Sequence, residues 1–164
     1  MQRIRLDPID RRILSELQAD GRITNVDLSR KAQISAPPCL RRVRALEEAG
    51  YIKGYHADLD PKLLGYGVTA FAMVGLRSQA DADLRAFEAK VSFWPIVREC
   101  TMLSGEVDFI LKCIAKDLET WNGFISELTA TPNVASVKTS LAVRSVKREP
   151  GVPVQCAEFV PAMI

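Results

Sequence analysis

The chain has 164 residues, of which 48% are hydrophobic and 26% are charged, and this balance is ordinary for a folded globular protein. The length is sufficient for one large or two small domains with hydrophobic cores. No apolar run approaches the length of a transmembrane helix, and the N-terminal residues lack the apolar segment of a signal peptide. We therefore expect a cytoplasmic protein with no membrane partner.

The net charge of +2 conceals an uneven distribution of charge. Residues 1–54 contain 11 Lys/Arg and 7 Asp/Glu, a net charge of +4, whereas residues 55–164 contain 11 and 13, a net charge of −2. A positive excess confined to the N-terminal third indicates nucleic-acid binding. Because the excess is modest, we expect dimerisation to double the basic surface.

The cysteines and the single histidine do not have the spacing of a metal site. The chain has no C-x-x-C pair, and His56 stands alone. We expect free thiols that behave as small apolar residues, and neither a metal nor another cofactor. The four cysteines are Cys39, Cys100, Cys113 and Cys156.

A first helix is predicted to begin after Asp7, which is a favourable N-cap, with Pro8 at the first helical position. Gly21 ends the helix. Its apolar stripe consists of Ile9, Ile13, Leu14 and Leu17.

The segment from Ile23 to Gly50 predicts two short helices with a tight break between them. Thr24 and Asp27 form a capping-box pattern, and the first of the two helices ends near Ala32. Gln33 and Ile34 form the break, Ser35 caps the second helix, and Gly50 ends it. Two helices joined by a short turn, with arginines on the second, are typical of a helix-turn-helix.

The second of these helices is predicted to bury Leu40, Val43 and Leu46 and to present arginines on its other faces. Arginine can bond guanine or phosphate through its planar fork. A plain helical hairpin with a solvated charged face remains the alternative. Residues 51–55 form either a wing along DNA or a connecting strand. The predicted DNA contacts are Ser35, Pro38, Cys39, Arg41, Arg42, Arg44 and Lys53.

A domain boundary is predicted between His56 and Gly67, where D-L-D-P-K-L-L-G-Y-G is rich in turn formers. The tail contains three prolines and has no helical period. We predict a helix-turn-helix domain over 1–54, a linker over 55–67, a second domain over 68–148 and an irregular tail over 149–164.

The second domain is predicted to be ferredoxin-like, with an antiparallel sheet and two helices on one of its faces. The predicted strands are 68–76, 96–103, 107–115 and 134–143, and the predicted helices are 81–91 and 118–128. The first strand is apolar on both sides, although a half-exposed antiparallel strand should alternate with polar residues. We therefore expect the uncovered sheet face to pack against a second copy in a two-fold dimer.

Three segments resemble the Lrp/AsnC (feast/famine) family of prokaryotic transcription regulators: L-D-P-I-D-R-R-I-L-S-E-L-Q-A-D-G-R-I-T-N-V-D-L-S, P-C-L-R-R-V-R-A-L-E-E-A-G-Y-I-K-G-Y and E-C-T-M-L-S-G-E-V-D-F-I-L-K. The resemblance covers residues 6 to 148. It implies an α+β fold with a three-helix (winged) helix-turn-helix domain and a ferredoxin-like βαββαβ domain. It also implies double-stranded DNA as a partner, dimers that often assemble into octamers, and a small effector, commonly an amino acid, bound between dimers.

The resemblance places effector residues around the turn between the second and third strands and on the last strand. Gly105 would admit a ligand close to the backbone, Asp108 could bind an ammonium group, and Thr139 could bond a carboxylate. An ordinary hairpin turn capped by Asp108 is the alternative. The implied effector residues are Met102, Ser104, Gly105, Glu106, Asp108, Val137 and Thr139.

The sequence departs from the family pattern in three places. Gln33 stands where the family often has glycine, at a cost of about 1 kcal/mol if its backbone is left-handed. Pro37 and Pro38 are adjacent, and because a proline disfavours helical geometry at the preceding residue, we expect the recognition helix to begin one or two residues late. Val137 replaces a threonine of some relatives, which predicts a different effector or an unresponsive pocket.

The function that these patterns favour is sequence-specific DNA binding gated by a small effector, and we expect Arg42→Ala to lose DNA binding while the protein stays folded. An enzyme is disfavoured because the sequence has no nucleophile elbow, phosphate-cradling loop or metal cluster. The alternative is a metabolite-binding ferredoxin-like assembly protein whose helical domain serves mainly in dimerisation. The salt dependence of DNA binding distinguishes the two functions.

Overall fold

The computed structural model describes residues 5–149 and 151–154. The described chain forms two compact units, one holding the residues up to Asp58 together with those from Lys147 onward, and the other holding Leu59–Val146. Within these residues, none of the helices is long and apolar enough to cross a membrane.

The first unit contains three helices around one small core. The helices are α1 (Pro8–Ala19), α2 (Asn25–Ala32) and α3 (Ala36–Glu48). The buried core residues are Ile13, Leu28, Ala32, Cys39 and Leu46. The prediction that Leu40 belongs to this core is wrong, because Leu40 is exposed and the neighbouring Cys39 points inward in its place. Inward positions 39, 43 and 46 repeat at helical spacing as well as 40, 43 and 46 do, so periodicity alone did not separate them.

The starts of the first two helices follow the predicted capping. The Asp7 carboxylate accepts the Asp10 backbone N–H at 2.8 Å, and the Asp10 carboxylate accepts the Asp7 N–H at 3.1 Å, which completes a capping box. In α2 the Thr24 hydroxyl accepts the Asp27 N–H at 3.1 Å and donates to the Asp27 carboxylate at 2.6 Å. The predicted cap at Thr24 is confirmed. The Asp27 carboxylate accepts its bond from the hydroxyl of Thr24, whereas in a standard capping box it would accept from the backbone N–H of the N-cap residue.

Helix α3 begins without a capping bond. Its N-cap is Ser35, but the second and third helical positions are Pro37 and Pro38, which have no N–H for the serine hydroxyl to accept. The expectation of a late start is wrong, because the helix begins at Ala36. Proline has a helix-compatible φ, and the first turn lacks intrahelical N–H partners in any case, so two prolines fit there.

Left-handed residues close both α2 and α3. At the end of α2, Gln33 has φ 58° and ψ 40°, its N–H donates to the Arg30 carbonyl, and the Ile34 N–H donates to the Ser29 carbonyl. These two bonds are those of a Schellman motif, and Gly50 occupies the same position after α3 with φ 77°. The backbone of Gln33 is therefore left-handed, which is the conformation for which the sequence analysis expects a cost of about 1 kcal/mol in a non-glycine residue.

The second unit is a four-stranded antiparallel sheet with two helices. Its elements are β1 (Val68–Leu76), α4 (Asp81–Ser92), β2 (Val97–Met102), β3 (Phe109–Ala115), α5 (Leu118–Thr129) and β4 (Val134–Leu141), and the strand order is β2-β3-β1-β4. This is the predicted βαββαβ order, with the last three strands slightly shorter than predicted. The sheet and the helices share one core. In this core the Phe87 ring contacts Phe109 and Trp94, and the Trp94 ring contacts Phe124, with centroids 4.9–6.3 Å apart.

The two faces of the sheet differ in cover. Ala70, Ala72 and Val74 of β1 are fully buried in the core, whereas Phe71 and Met73 on the opposite face are only partly buried. The register places Met73 beside Ile110 and Lys138, and Phe71 beside Lys112, so this face is apolar apart from the lysines and the polar residues of β4. The described residues leave this largely apolar face uncovered, as the sequence of β1 indicates.

Candidate functional site

One face of α3 is exposed along its length. Pro37, Leu40, Arg41 and Arg44 are exposed and follow the i, i+3, i+4, i+7 spacing of a single helical face. In the part of the chain that the structure describes, neither Arg41 nor Arg44 has a carboxylate partner. The arrangement presents two unpaired guanidinium groups beside an apolar side chain. Leu40 was missed as a surface residue because its spacing also fits the core.

Cys39 cannot contact DNA as predicted. Its side chain is completely buried between the helices of the first unit, and this burial raises the pKa of its thiol. A buried neutral thiol serves as a core residue. Of its predicted neighbours at the start of α3, Ser35 is exposed and Pro38 is partly buried.

The predicted DNA contact Arg42 has its guanidinium paired with carboxylates of its own unit, and its side chain is 33% exposed. One of its nitrogens donates to Asp7 and to Asp10, each at 2.7 Å. Each carboxylate uses its other oxygen for the capping box of α1, so all four oxygens have protein donors. Arg42 therefore ties α3 to the start of α1, and this pairing gives it a positioning role within the unit.

The charge pairing between Arg42 and Asp7 shifts the pKa of both groups. Burial opposes ionisation of Asp7, but the Asp10 N–H and the Arg42 guanidinium outweigh it and lower the pKa of Asp7. The hydrogen bonds to Asp10 and Asp7 raise the pKa of Arg42. The structure does not support the prediction that Arg42→Ala leaves the fold intact. The substitution would remove the cation that pairs with the carboxylates of Asp7 and Asp10.

Lys53 is exposed after α3, and residues 51–55 form neither a helix nor a strand. The segment is fixed to α3 by the Tyr55 hydroxyl, which donates to the Glu47 carboxylate at 2.9 Å. Burial and this bond raise the pKa of Tyr55 to about 12. Lys53 is thus presented from a segment attached to the recognition helix.

The predicted effector residues do not converge within one chain. Met102 pairs with Phe109, which is flanked across the sheet by Val74 and then Val137, so Met102 and Val137 lie in one row at opposite edges. Three strand spacings of about 4.8 Å separate them by about 14 Å. Thr139 lies on the same edge as Val137. A single small ligand cannot touch both edges of one sheet.

Asp108 is satisfied by its own protein. It is 7% exposed, and its carboxylate accepts the Leu76 N–H at 2.6 Å and the Gln79 side-chain amide at 2.7 Å. Its backbone N–H donates to Val74, and its carbonyl accepts from Leu103. The role of Asp108 as an ammonium ligand does not fit this arrangement, because both oxygens already fix the β2–β3 hairpin to the end of β1.

The remaining effector candidates lie on the surface. Ser104, Gly105 and Glu106 form an exposed loop, and a Cβ added at Gly105 would meet no atom within 4 Å. Of the predicted effector residues, Met102 is the one that lines a cavity of about 340 Å³ at the β2 edge of the unit. Its other lining residues, none of which the sequence indicated, are Glu88, Val91, Ser92, Cys100 and Phe109.

A helix-turn-helix unit with an exposed cationic helix face, joined to a ferredoxin-like unit, defines a DNA-binding protein with an accessory domain. Family comparisons match residues 6–53 to a winged helix-turn-helix DNA-binding domain and residues 69–152 to the Lrp/AsnC ligand binding domain. The chain belongs to the Lrp/AsnC family, and it is a transcriptional regulator with a DNA-binding and a ligand-binding domain.

Related proteins agree with this assignment. The chain is 58% identical over 146 residues to a leucine-responsive regulatory protein of Rhizobium meliloti, covering 88% of this chain and 94% of the relative. It is 40% identical to the Bkd operon transcriptional regulator of Pseudomonas aeruginosa, covering 86% and 93%. A Neisseria meningitidis transcriptional regulator solved with L-Met has a TM-score of 0.86 and 35% identity, covering 91% and 97%.

Proposed function

We propose that this regulator reads DNA with the exposed face of α3 and responds to an amino acid bound between copies of the chain. The observation that carries the proposal is the pair of unpaired guanidinium groups of Arg41 and Arg44 on one exposed helical face. Guanidinium groups at this position suit phosphate oxygens and the O6 and N7 atoms of guanine.

Three other residues complete the proposed DNA surface. Leu40 offers an apolar contact suited to a thymine methyl group. Ser35 has a hydroxyl that makes no capping bond, and Lys53 is an exposed cation after α3, so both suit phosphate. The proposed surface therefore combines base and backbone contacts, as sequence-specific binding requires.

We propose a homodimer as the DNA-binding form. The open sheet face supports it, since Phe71, Met73, Ile110 and Ile114 lie on that face and a second copy could cover them. Lys112 lies among these residues and is paired with Glu99 of β2. Two copies would present two α3 helices to two half-sites and double the positive charge. Further assembly into octamers, which the family resemblance implied, stays part of this proposal.

An amino acid is the proposed effector. The related Neisseria regulator was solved with L-Met, and several relatives are named leucine-responsive. Because Met102 and Val137 lie at opposite edges of the sheet, we place the pocket where the β2 edge of one chain meets the β4 edge of another. Residues 102–106 would come from the first chain, and Val137 and Thr139 from the second. A ligand at such a place can favour one assembly over another.

We further propose that the chain is not an enzyme and works in the cytoplasm, as a regulator of bacterial genes would. The division into domains at 1–54, 55–67, 68–148 and 149–164 is likewise a proposal. A role as a metabolite-binding assembly protein, with the helical unit serving mainly in dimerisation, is the competing function.

Mobility-shift titration with genomic fragments at several salt concentrations tests the proposal. Affinity that falls steeply as salt rises indicates displacement of several counterions by bound cations and supports DNA binding. A shift that is absent at low salt would favour the assembly protein. A thermal-shift panel of the twenty amino acids, followed by measurement of solution mass with each stabilising ligand, tests the effector and its place between copies.

A further inference from the structure

The chain returns to the DNA-binding unit after its ferredoxin-like unit. The residues from Lys147 to Val154, here called the strap, belong to the same compact unit as α1, α2 and α3. Pro150 within the strap lies outside the described residues. The chain therefore passes between the two units twice, once after Asp58 and once after Val146.

Gln18 of α1 holds the strap by its backbone. The Gln18 side-chain amide donates to the Val152 carbonyl at 2.8 Å, and its oxygen accepts the Val152 N–H at 3.2 Å. One primary amide thus satisfies both backbone groups of a single residue, as a neighbouring β-strand would. This pairing fixes the position and direction of the strap on α1.

Gly151 makes this close approach possible. Its φ is +71°, in the left-handed region, and a Cβ built on it would lie 2.3 Å from the Gln18 amide oxygen and 2.6 Å from the amide carbon. Glycine is the residue that accommodates both the positive φ and the adjacent amide. The residue type at 151 is therefore matched to the contact with Gln18.

Two more features attach the strap to the unit. Arg148 forms an ion pair with Asp58 at 2.7 Å, next to the point where the chain leaves the unit. The strap also forms one wall of a groove of about 670 Å³, whose other walls are α1 and residues 51–55. Apolar side chains from all three segments line the groove, among them Leu14, Leu17, Tyr51, Tyr55 and Val154.

We propose that the strap is a built-in ligand of the DNA-binding unit, which braces residues 51–55 against α1 and thereby sets the position of Lys53. The occupant of this face of α1 is the chain's own C-terminal segment, held by the Gln18–Val152 pairing. Because the strap follows β4 by a few residues, it is also a second attachment through which the ferredoxin-like unit can act on the DNA-binding unit.

Hydrogen exchange on two truncated chains tests the strap. One ends at Val146 and lacks it, and the other ends at Val154 and keeps it. Two neutral hydrogen bonds of ordinary strength shift a docking equilibrium about 30-fold. We expect the chain ending at Val146 to exchange the amides of residues 51–55 at least several-fold faster than the full chain, and the chain ending at Val154 to match the full chain.

Point substitutions in the full chain make the test independent of truncation. Gln18→Ala and Gly151→Ala should both accelerate exchange at residues 51–55 and weaken DNA binding. Gly65→Ala is the matched control, because Gly65 has φ +81° but no atom within 4 Å of an added Cβ. It carries the same backbone strain without touching Gln18.

Unchanged exchange at residues 51–55 in the chain ending at Val146 and in Gln18→Ala would overturn the proposal. The exchange measurement needs no DNA, so its result is separate from the proposed DNA contacts. The solution mass of each variant is also measured. If exchange at residues 51–55 is faster only in variants whose solution mass has changed, the loss of assembly explains the result and the bracing role of the strap is overturned.

Discussion

Replacing Arg42 by alanine should destabilise the DNA-binding unit rather than remove a DNA contact. The Arg42 guanidinium donates to Asp7 and Asp10 at 2.7 Å each, and the Asp10 side chain is only 10% exposed. Without Arg42, two neighbouring carboxylates remain with half of their oxygens unpaired. Breaking a fully buried ion pair costs about 3–5 kcal/mol.

The cost at Arg42 should be smaller than in a fully buried pair, because the Arg42 and Asp7 side chains are 33% and 41% exposed. We expect a loss of about 2 kcal/mol in the free energy of unfolding of the unit, after discounting for solvent screening. For a unit of this size, such a loss lowers the melting temperature by roughly 10 °C.

Urea unfolding of Arg42→Ala and Arg44→Ala provides the assay and its control. Arg44 is exposed on the same helix, and a surface substitution of this kind changes stability by about 0.5 kcal/mol or less. The double variant Arg42→Ala/Asp10→Ala should be less destabilised than the sum of the single variants, since the two residues interact directly. The reasoning is refuted if Arg42→Ala keeps wild-type stability and instead lowers the salt dependence of DNA binding.

Three further predictions concern the turn at Gln33, the titration of Asp7 and the open face of the sheet. Gln33→Gly should stabilise the protein by up to about 1 kcal/mol in urea unfolding, because glycine relieves the left-handed strain at φ 58°; a loss of stability would show that the strain is absent. The pKa of Asp7 in the folded protein is below its ordinary value of 3.8. The ionised carboxylate therefore adds to the free energy of unfolding above pH 3.8, and this stabilisation is lost as the pH falls through the folded-state pKa. The stability difference between wild type and Asp7→Asn should accordingly shrink below pH 3.8, and a constant difference would contradict this. Phe71→Glu should halve the solution mass of the dimer with little change in monomer folding, whereas an unchanged mass would place the dimer interface elsewhere.

The sequence was informative where the determinants of structure are local. Asp7, Pro8 and Thr24 mark helix starts by capping chemistry that acts within one turn. The change from helical to strand period at Val68 gives the bounds of β1 as observed. In each case the residues that decide the structure are neighbours in the chain, so a pattern in a short window is sufficient.

Contacts between distant residues account for what the sequence did not show. Arg42 and its partner Asp7 are 35 residues apart, and nothing near Arg42 distinguishes it from Arg41 or Arg44. Cys39 and Leu40 differ by one helical position, about 100° of rotation, and only packing against Ile13 and Leu28 decides which is buried.

The effector residues and the strap illustrate the same limit. The family resemblance groups Met102 with Val137, yet the strand order β2-β3-β1-β4 places them at opposite edges of the sheet. The pairing of Gln18 with Val152 spans 134 residues and joins a side chain to a backbone, for which sequence has no pattern. Both features depend on the topology of the whole chain.

The central claim is that Arg41 and Arg44 on the exposed face of α3 carry DNA binding. The most direct measurement is DNA affinity as a function of salt for wild type and for Arg41→Ala/Arg44→Ala, with folding checked by urea unfolding. We predict wild-type stability, a large loss of affinity, and a decrease in the salt slope of about 0.9 for each phosphate contact removed. Unchanged affinity and slope in the folded double variant would contradict the claim.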